Sequence, residues 1–404
     1  MLTAIAIFVA TYAFLAIGEI PGLRIDRTGA ALIGAGLMIA FGVVSLPEAY
    51  RAVDFDTILL LLSMMILVAY IRLSGFFELV SKWVVEHART RTGLLIAVVL
   101  LTGFLSAFFV NDAICLVLTP LVVEIVKSAD LNPLPYLLGV AMASNVGSVA
   151  TITGNPQNIL IGSLSQISYV SFARALSPPA LVGLVLTIAF IILGFRSEFR
   201  GSRNFEMSLR HVHVHWGMVA KAAVITLTMV ILFFAGTQPA KVAFVASSFL
   251  LLTRRIKPDK IYREIDWSLL LLFAALFVVV AAFEKSVISP DVLKRINAFH
   301  LERVSVMSTV AGVLSNIVSN VPAVLLLKPF VTHLPNARQA WLTLAMASTF
   351  AGNFTIVGSV ANLIVVEKAR RQGVRIGFWS YFRVGAPLTI VTILIGALFL
   401  RRGW

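Results

Sequence analysis

The stretch of sequence that decides the fold is GFLSAFFVNDAICLVLTPLV at residues 103–122, because a related stretch, GVLSNIVSNVPAVLLLKPFV, returns at residues 312–331. The polar and helix-breaking positions of the two stretches coincide at Gly103/Gly312, Ser106/Ser315, Asn111/Asn320 and Pro120/Pro329. Apolar composition alone would repeat leucines, but it would not place glycine, serine, asparagine and proline in one order at a nearly constant offset. The sequence therefore predicts two related halves.

Shorter matches extend this repeat to both sides of the two stretches. They pair residues 54–62 with 264–272, 141–144 with 345–348, 151–158 with 355–362, and 171–178 with 380–387. The third pair shares the pattern Thr-Ile-x-Gly-x-x-x-Asn. We therefore expect a first repeat at residues 1–195, a basic cytoplasmic linker at 196–216 and a second repeat at 217–404.

Composition places these repeats in a membrane. Of the 404 residues, 59% are hydrophobic and 13% are charged, and the mean hydropathy is +0.94. A soluble domain carries about 25% charged residues, which excludes an ordinary soluble enzyme. A helix needs about 20 mainly apolar residues to cross the hydrocarbon core. Candidate spans lie at residues 2–18, 28–46, 56–73, 178–195, 217–236, 238–253, 267–284 and 384–400.

The basic residues predict the orientation in the membrane. The net charge of +14 is spread between apolar segments rather than gathered in one patch, which argues against a nucleic-acid partner. One side collects 22 of the 33 lysines and arginines, in loops 19–27, 74–92, 128–133, 196–216, 254–266 and 369–383 with their flanks. That side is expected to be cytoplasmic. We expect a protein integral to the cell (inner) membrane, surrounded by membrane lipid, with both termini outside the cytoplasm.

Two long apolar stretches, 92–170 and 302–367, are interrupted by asparagine, serine, threonine, glycine and proline. Plain spanning helices do not carry this pattern. We predict an all-α polytopic membrane protein with two inverted repeats of five transmembrane helices, each with a re-entrant helical hairpin (93–127 and 304–332) and a broken helix. An odd number of crossings inverts the second half, as in many secondary transporters. If each hairpin crossed the membrane twice instead of re-entering, each half would still have an odd number of crossings, and the two halves would still be inverted.

Four interruptions are expected to form one site at the membrane midplane. They lie at residues 110–113, 145–158, 315–322 and 352–362. Broken helices survive in lipid only where they face protein or a watery cavity, although small and polar residues also serve for kinks and close packing. The candidate substrate-binding residues are Asn111, Ser144, Asn145, Thr151, Thr153, Asn155, Asn158, Ser315, Asn316, Ser319, Asn320, Asn353, Thr355, Ser359 and Asn362.

Asp112 is the candidate proton-coupling residue. It has apolar neighbours on both sides at the predicted tip of the first hairpin, and an ionisable group at depth in a membrane is costly and indicates function. The alternative is a carboxylate that caps the following helix from a hydrated tip. The repeat places Val321 at the equivalent position. The charge is therefore not required by the architecture, which favours the coupling role.

Other charged residues have structural alternatives. Arg174 and Arg383 recur at matched positions and could attract an anion, although interfacial anchoring is the simpler interpretation. Lys328 is expected to extend toward the outer surface. Asp56 and Asp266 start matched helices and favour interaction with the helix dipole over ligand binding.

Several chemistries are not indicated by the sequence. The segment His211–His215 alternates like a metal clip, but a solvated amphipathic linker fits it better. The single cysteine, Cys115, cannot form a disulfide within the chain or a three-sulfur metal site. The spanning segments carry no catalytic triad and the chain no Walker A pattern. We expect no cofactor and no enzymatic activity, and transport driven by an ion gradient or by a partner ATPase subunit.

The quoted motifs resemble a known superfamily. Residues 74–78, 109–112 with 118–120, and 152–158 look like the ion transporter superfamily, most of all the ArsB arsenite efflux permeases and their anion-permease relatives. Residues 315–322 resemble the second hairpin of that group, and residues 356–362 resemble its second broken helix. The similarity covers nearly the whole chain.

This resemblance implies two inverted repeats, proton or sodium coupling and an elevator-like motion. For ArsB-like pumps it implies export of trivalent arsenic or antimony hydroxide in exchange for protons. Sodium-coupled dicarboxylate relatives typically show Ser-Asn-Thr in both hairpins, whereas residues 110–112 and 319–321 here are Val-Asn-Asp and Ser-Asn-Val. This departure favours the exporter. A sodium- or proton-coupled carboxylate or inorganic anion transporter and a sodium/proton antiporter stay open as alternatives.

Overall fold

The architecture is known from a computed structural model, which describes residues 1–17, 25–200, 214–252, 255–289, 292 and 299–401, apart from the side chains of residues 85 and 86. Every regular element within these ranges is helical. Six of the helices are long and apolar enough to span a membrane, and others are apolar but shorter. The prediction of an all-α polytopic membrane protein is confirmed.

The first half contains five early helices, two of them short, followed by a hairpin, a broken helix, a long helix and a short final helix. Their bounds are α1 Leu2–Ile17, α2 Arg27–Ala40, α3 Leu46–Ala52, α4 Phe55–Leu73, α5 Phe76–His87, α6 Arg91–Phe108, α7 Asn111–Ser128, α8 Pro133–Ser148, α9 Pro156–Ser165, α10 Tyr169–Gly194 and α11 Arg196–Phe199. A short 3₁₀ turn at Ile152–Gly154 separates α8 from α9.

The second half repeats this order. Its helices are α12 Trp216–Phe234, α13 Pro239–Leu251, α14 Pro258–Tyr262, α15 Trp267–Val287, α16 Val304–Val318, α17 Asn320–Val331, α18 Ala337–Ala351, α19 Val360–Arg371 and α20 Phe378–Arg401. A 3₁₀ turn at Ile356–Gly358 separates α18 from α19. The packing is repeated as well, since α6 packs on α8 as α16 packs on α18, and α2 packs on α15 as α13 packs on α4.

Polar contacts at the helix ends establish that the two repeats are inverted. Thr28 in α2 donates to the Ser268 carbonyl in α15 at 3.1 Å, so these two helices begin at the same end of the bundle. Arg72, near the end of α4, pairs with Glu264, just before α15. Equivalent helices α4 and α15 therefore run in opposite directions, which confirms the predicted inversion.

Side-chain caps explain where several helices begin. Asp54 accepts from the Thr57 N–H at the start of α4, and Asp266 accepts from the Leu269 N–H at the start of α15. Asn155 and Ser359 cap α9 and α19, the second segments of the two broken helices. Such caps satisfy backbone N–H groups that have no partner within their own helix. Helices can therefore restart in the interior of the bundle.

The interruptions lie where the sequence predicts them, but some helix bounds differ. The first hairpin turns at residues 109–110 and the second turns at Ser319. The last helix of each half begins earlier than expected, at Tyr169 rather than 178 and at Phe378 rather than 384. Each of these helices continues through proline because its first residues pack against the bundle, where neighbouring helices stabilise a kink. Helix α2 ends at Ala40, before the glycine at 42.

Close packing of α6 on α8 depends on two glycines. A methyl group added at Gly147 would lie 2.1 Å from the Gly103 carbonyl oxygen and 2.5 Å from its Cα. Both atoms belong to the backbone, so a clash there cannot be relieved by turning a side chain. The hairpin and the broken helix of the first half are thus held in direct backbone contact.

We predict that Gly147→Ala destabilises the protein by about 2 kcal/mol or more, because overpacking displaces one helix from the other. The control is Gly36→Ala, where an added methyl meets no atom within 4 Å. It should be neutral or slightly stabilising, as alanine favours a helix. Thermal unfolding of the detergent-purified variants measures both. Equal melting temperatures for the two variants would contradict the α6–α8 contact.

Candidate functional site

A small cavity lies where the two hairpin tips meet the two broken helices. Its volume is about 90 Å³. Five of the predicted site residues, including the proposed proton carrier, line it: Asn111, Asp112, Ser319, Asn320 and Ser359. The described residues that complete the wall are Leu15, Arg27, Pro156, Gln157, Leu269, Leu272, Val318, Val321, Pro322 and Val360. All four interruptions and the early helices of both halves therefore contribute to one space.

Two helices begin at this cavity without a side-chain cap. Neither Val110, before α7, nor Ser319, before α17, makes a capping hydrogen bond. The first N–H groups of a helix lack partners inside it and carry a partial positive charge. Both hairpins therefore offer backbone donors to a ligand in the cavity, and Asp112 lies in the first turn of α7.

The tip of the second hairpin has an unusual backbone. Ser319 adopts φ 75°, a value that favours glycine and that costs a serine conformational energy. Nearby, Tyr12 in α1 donates to the Pro322 carbonyl at 3.1 Å. Backbone strain of this kind clusters at binding sites and switches. The strained turn between α16 and α17 therefore forms part of the cavity wall.

Asn145 joins the two broken helices behind the cavity. Its amide nitrogen donates to Asn353 at 2.8 Å and to Asn362 at 3.1 Å. Its amide oxygen accepts from Asn111 at 2.9 Å and from Ser359 at 3.0 Å. One fully buried side chain thus contacts the first hairpin and both sides of the second break.

The equivalent position in the second half is Thr349, and it has the reciprocal role. Its hydroxyl accepts from Gln157 at 3.0 Å and from Asn155 at 3.3 Å, both in the first break. Each half therefore provides a side chain that forms hydrogen bonds with the interrupted helix of the other half. The two broken helices form one cross-linked unit.

Matched asparagines satisfy the backbone of each break. Asn158 donates to the carbonyls of Ser148 and Thr151 at 2.9 and 3.0 Å. Asn362 makes the corresponding contacts to Gly352 and Thr355 at 2.7 and 3.2 Å. The predicted repeat is thus reproduced at the level of single hydrogen bonds.

Other predicted residues lie around the cavity rather than on it. Asn316 donates to the Ala351 carbonyl at 2.9 Å, and Asn353 donates to that of Met142 at 3.1 Å. The remaining hydroxyl groups bond locally or within the breaks, as Ser144 to the Ala141 carbonyl, Thr151 to the Ala107 carbonyl, Thr153 to Tyr169 and Thr355 to Asn316. These side chains shape the breaks, and their direct contact with a solute stays a prediction.

Among the predicted site residues, four buried polar atoms lack a hydrogen-bond partner within the described part of the chain: the amide oxygens of Asn111, Asn158 and Asn320 and the hydroxyl of Ser315. Burying an unpaired polar atom costs about 1–3 kcal/mol. The amide oxygens of Asn111 and Asn320 belong to equivalent hairpin tips, and their residues line the cavity.

The other charged candidates lie away from the cavity. Arg174 and Arg383 are exposed. Lys328 pairs with Glu284 at 3.2 Å, and Asp56 accepts from Gln238 at 2.7 Å rather than capping α4, which Asp54 does. The histidines at 211 and 213 lie outside the described residues.

Sequence reasoning missed three residues that the structure brings to this region. Gln157 was visible within a quoted motif, and Thr349 follows the matched Ala-Met-Ala-Ser segment. Arg27 was counted only as a loop charge, yet it lines the cavity. No local pattern distinguishes it from other arginines at helix ends.

Comparison with known proteins identifies the family. The family model described as citrate transporter, CitMHS, matches residues 12–351. The chain belongs to this family. It is therefore a membrane transporter and not an enzyme, and its membership of the ion transporter superfamily is confirmed.

Relatives align over almost the whole chain. The uncharacterized transporter Rv2685 of Mycobacterium tuberculosis is 30% identical over 98% of this chain and 97% of its own. The silicon efflux transporter LSI3 of rice is 29% identical over 94% of this chain and 93% of its own, and a Dictyostelium discoideum protein that carries the transporter name arsB is 26% identical over 93% and 87%. The crystal structure of the Alcanivorax borkumensis YdaH transporter matches with a TM-score of 0.61 at 15% identity, covering 100% of this chain and 97% of that one, which supports the fold.

We predict that Asn145→Ala destabilises the protein by about 3 kcal/mol, because it leaves several buried amides and a hydroxyl without a partner. The matched control is Thr187→Val, which removes a buried hydroxyl bonded only to the Gly183 carbonyl of its own helix. Melting temperatures in detergent compare the two. A loss in Asn145→Ala no larger than in the control would contradict the role of Asn145 as the link between the halves.

Proposed function

We propose that this transporter exports trivalent arsenic and antimony hydroxides in exchange for protons. The observation that carries the proposal is the cavity between the hairpin tips, which is small and lined by amides, hydroxyls and uncapped helix starts. Asp112 is its single acidic side chain and Arg27 its single basic one among the described residues.

The size of the cavity favours a solute of a few heavy atoms. The cavity has a volume of about 90 Å³. Arsenous and antimonous acids, each one central atom with its hydroxyl groups, are smaller than a tricarboxylate such as citrate, so they fit this space more readily.

The chemistry of the lining favours a neutral polyhydroxyl solute. Hydroxyl groups of the solute would bond the hydroxyl and amide side chains that line the cavity, and the solute oxygens would accept from the uncapped N–H groups of α7 and α17. A carboxylate or sulfate would also accept from these N–H groups, but it would share the cavity with the Asp112 carboxyl. Among the described lining residues Arg27 alone is cationic.

Proton coupling is assigned to Asp112. It is half-buried on the cavity wall, within reach of a solute that occupies the cavity. Binding of a hydroxylated solute beside the carboxyl would favour release of its proton, and return of the empty site would require the proton again. The exchange would then be coupled through one side chain.

The names of two relatives agree with this class of solute, since one is a silicon efflux transporter and another carries the name arsB. The family description names citrate and supports the carboxylate alternative. In the proposed orientation the end at which α2 and α15 begin faces the cytoplasm of the inner membrane, and both termini lie outside. We also propose the division into repeats at 1–195 and 217–404 with a linker at 196–216.

We predict that everted membrane vesicles with an acid interior accumulate arsenite and antimonite, and that Asp112→Asn abolishes the dependence on the proton gradient. The control is Asp130→Asn, which changes an exposed carboxylate whose positive φ asparagine also tolerates. Atomic spectrometry of filtered vesicles measures uptake.

The alternatives give different results in the same vesicles. Uptake of citrate or sulfate without uptake of arsenite would replace the proposal by the anion transporter. Sodium-driven proton movement with no solute uptake would replace it by the antiporter, and uptake that needs ATP but no gradient would indicate a partner ATPase. Full gradient dependence in Asp112→Asn would remove this residue from the coupling.

A further inference from the structure

Two apolar grooves run along the two sides of α12, which is the most exposed of the candidate spans in the described part of the chain. Only 22% of its apolar window is buried, against 39–67% in the other five. One groove, of about 400 Å³, lies between α12 and α6, and the other, of about 560 Å³, lies between α12 and α13. Both are separate from the cavity between the hairpin tips.

Charge distinguishes the two grooves. The groove against α6 has no charged residue among the described residues that line it. The groove against α13 has Lys221 from α12 and Lys241 from α13, with no acidic residue among its described lining. The wall between the two lysines is mainly apolar and includes Ile225, Val245 and Phe249. This combination favours an occupant that is apolar along its length and anionic at one end.

The ammonium group of Lys221 has partners within the protein. It donates to the Leu252 carbonyl, just after α13, at 2.6 Å, and it lies 5.8 Å from the ring centre of Tyr70. Its charge therefore complements the negative end of the α13 dipole. The aliphatic part of the side chain is what Lys221 offers to the groove.

Lys241 is the available charge of the groove. It is exposed in the first turn of α13, and it forms no hydrogen bond or ion pair with any residue that the structure describes. Gln238, just before this turn, donates to Asp56 at 2.7 Å, so Lys241 lies at the end of the bundle where α4 begins. Asp56 lines a different cavity, of about 480 Å³, and is absent from the groove. A free ammonium group at a membrane surface attracts anionic lipid.

The length of the groove matches one lipid chain. Lys241 lies at one end of its α13 wall and Leu252 at the other. The rise of 1.5 Å per residue places them about 16 Å apart along the helix. One leaflet is half of a hydrocarbon core that is about 30 Å thick. An acyl chain that starts at Lys241 therefore has the length of groove that it needs.

We propose that the groove between α12 and α13 binds one anionic phospholipid, with its phosphate on Lys241 and one acyl chain along the groove. Thr237, which lines the groove and is exposed, adds a hydroxyl donor near the start of α13. The other possible occupant is a second copy of the chain. In a twofold contact the same patch would face itself, and lysines without acidic partners in the lining would then repel each other. The charges therefore favour the lipid.

Lipid titration of the delipidated full-length protein in detergent tests this proposal, with native mass spectrometry to measure the bound lipid. The wild type should bind dioleoyl phosphatidylglycerol more tightly than dioleoyl phosphatidylcholine. Lys241→Gln should weaken the binding of phosphatidylglycerol about fivefold, because one lysine at a lipid surface contributes about that factor. It should leave the binding of phosphatidylcholine unchanged. Lys260→Gln, which changes an exposed lysine outside the groove, should bind both lipids like the wild type.

Two further variants separate the groove from the head-group contact. Ala246→Trp fills the groove against α13 and should weaken the binding of both lipids, whereas Ala223→Trp fills the groove against α6 and should retain the preference for phosphatidylglycerol. Equal affinities of Lys241→Gln and the wild type for phosphatidylglycerol would overturn the proposal. Conversion of a dimer to a monomer by Ala246→Trp, with lipid binding unchanged, would also overturn it and assign the groove to a second copy.

Discussion

The structure depends on one constraint, which is that a backbone interrupted inside a membrane must find hydrogen-bond partners within the protein. Four helices of this chain begin in the interior. Side chains of the two breaks cap α9 and α19, whereas α7 and α17 begin without a side-chain cap. Asn158 and Asn362 bond the carbonyls that each break exposes, at equivalent positions and nearly equal distances. Asn145 then ties the second break to the first half. Because each half completes the hydrogen bonding of the other, the two broken helices form one unit, and the cavity lies where the hairpin tips meet it.

Residues that match between the two repeats build the same backbone structure in both halves. A position at which the repeats differ provides the acidic side chain of the cavity. Matched residues fill structural roles in both halves, as the caps at Asn155 and Ser359 illustrate. The acidic lining residue has no match, since Asp112 corresponds to Val321 in the second repeat.

The names of the family and of one relative mention different solutes. The CitMHS family is named for citrate, one relative is named for silicon efflux, and the YdaH structure shares the fold at 15% identity. The breaks are held by buried hydrogen bonds between the two halves, whereas Asn111, Asp112, Ser319 and Asn320 line the cavity at the hairpin tips. Under the proposed function, these tip residues and the volume of the cavity select the solute.

The sequence by itself determined the membrane class, the duplication and the location of all four interruptions. These are local properties, because apolar length and residues such as Asn111 and Gly352 act within a few residues of chain. It also determined that Asp112 is an isolated carboxyl in apolar surroundings. Only the tertiary structure decided which polar residues face the cavity and which, such as Asn145, hold the breaks together, since that depends on contacts between residues some 200 positions apart. The same holds for Arg27, which lines the cavity although its neighbours in the chain do not distinguish it from other arginines at helix ends.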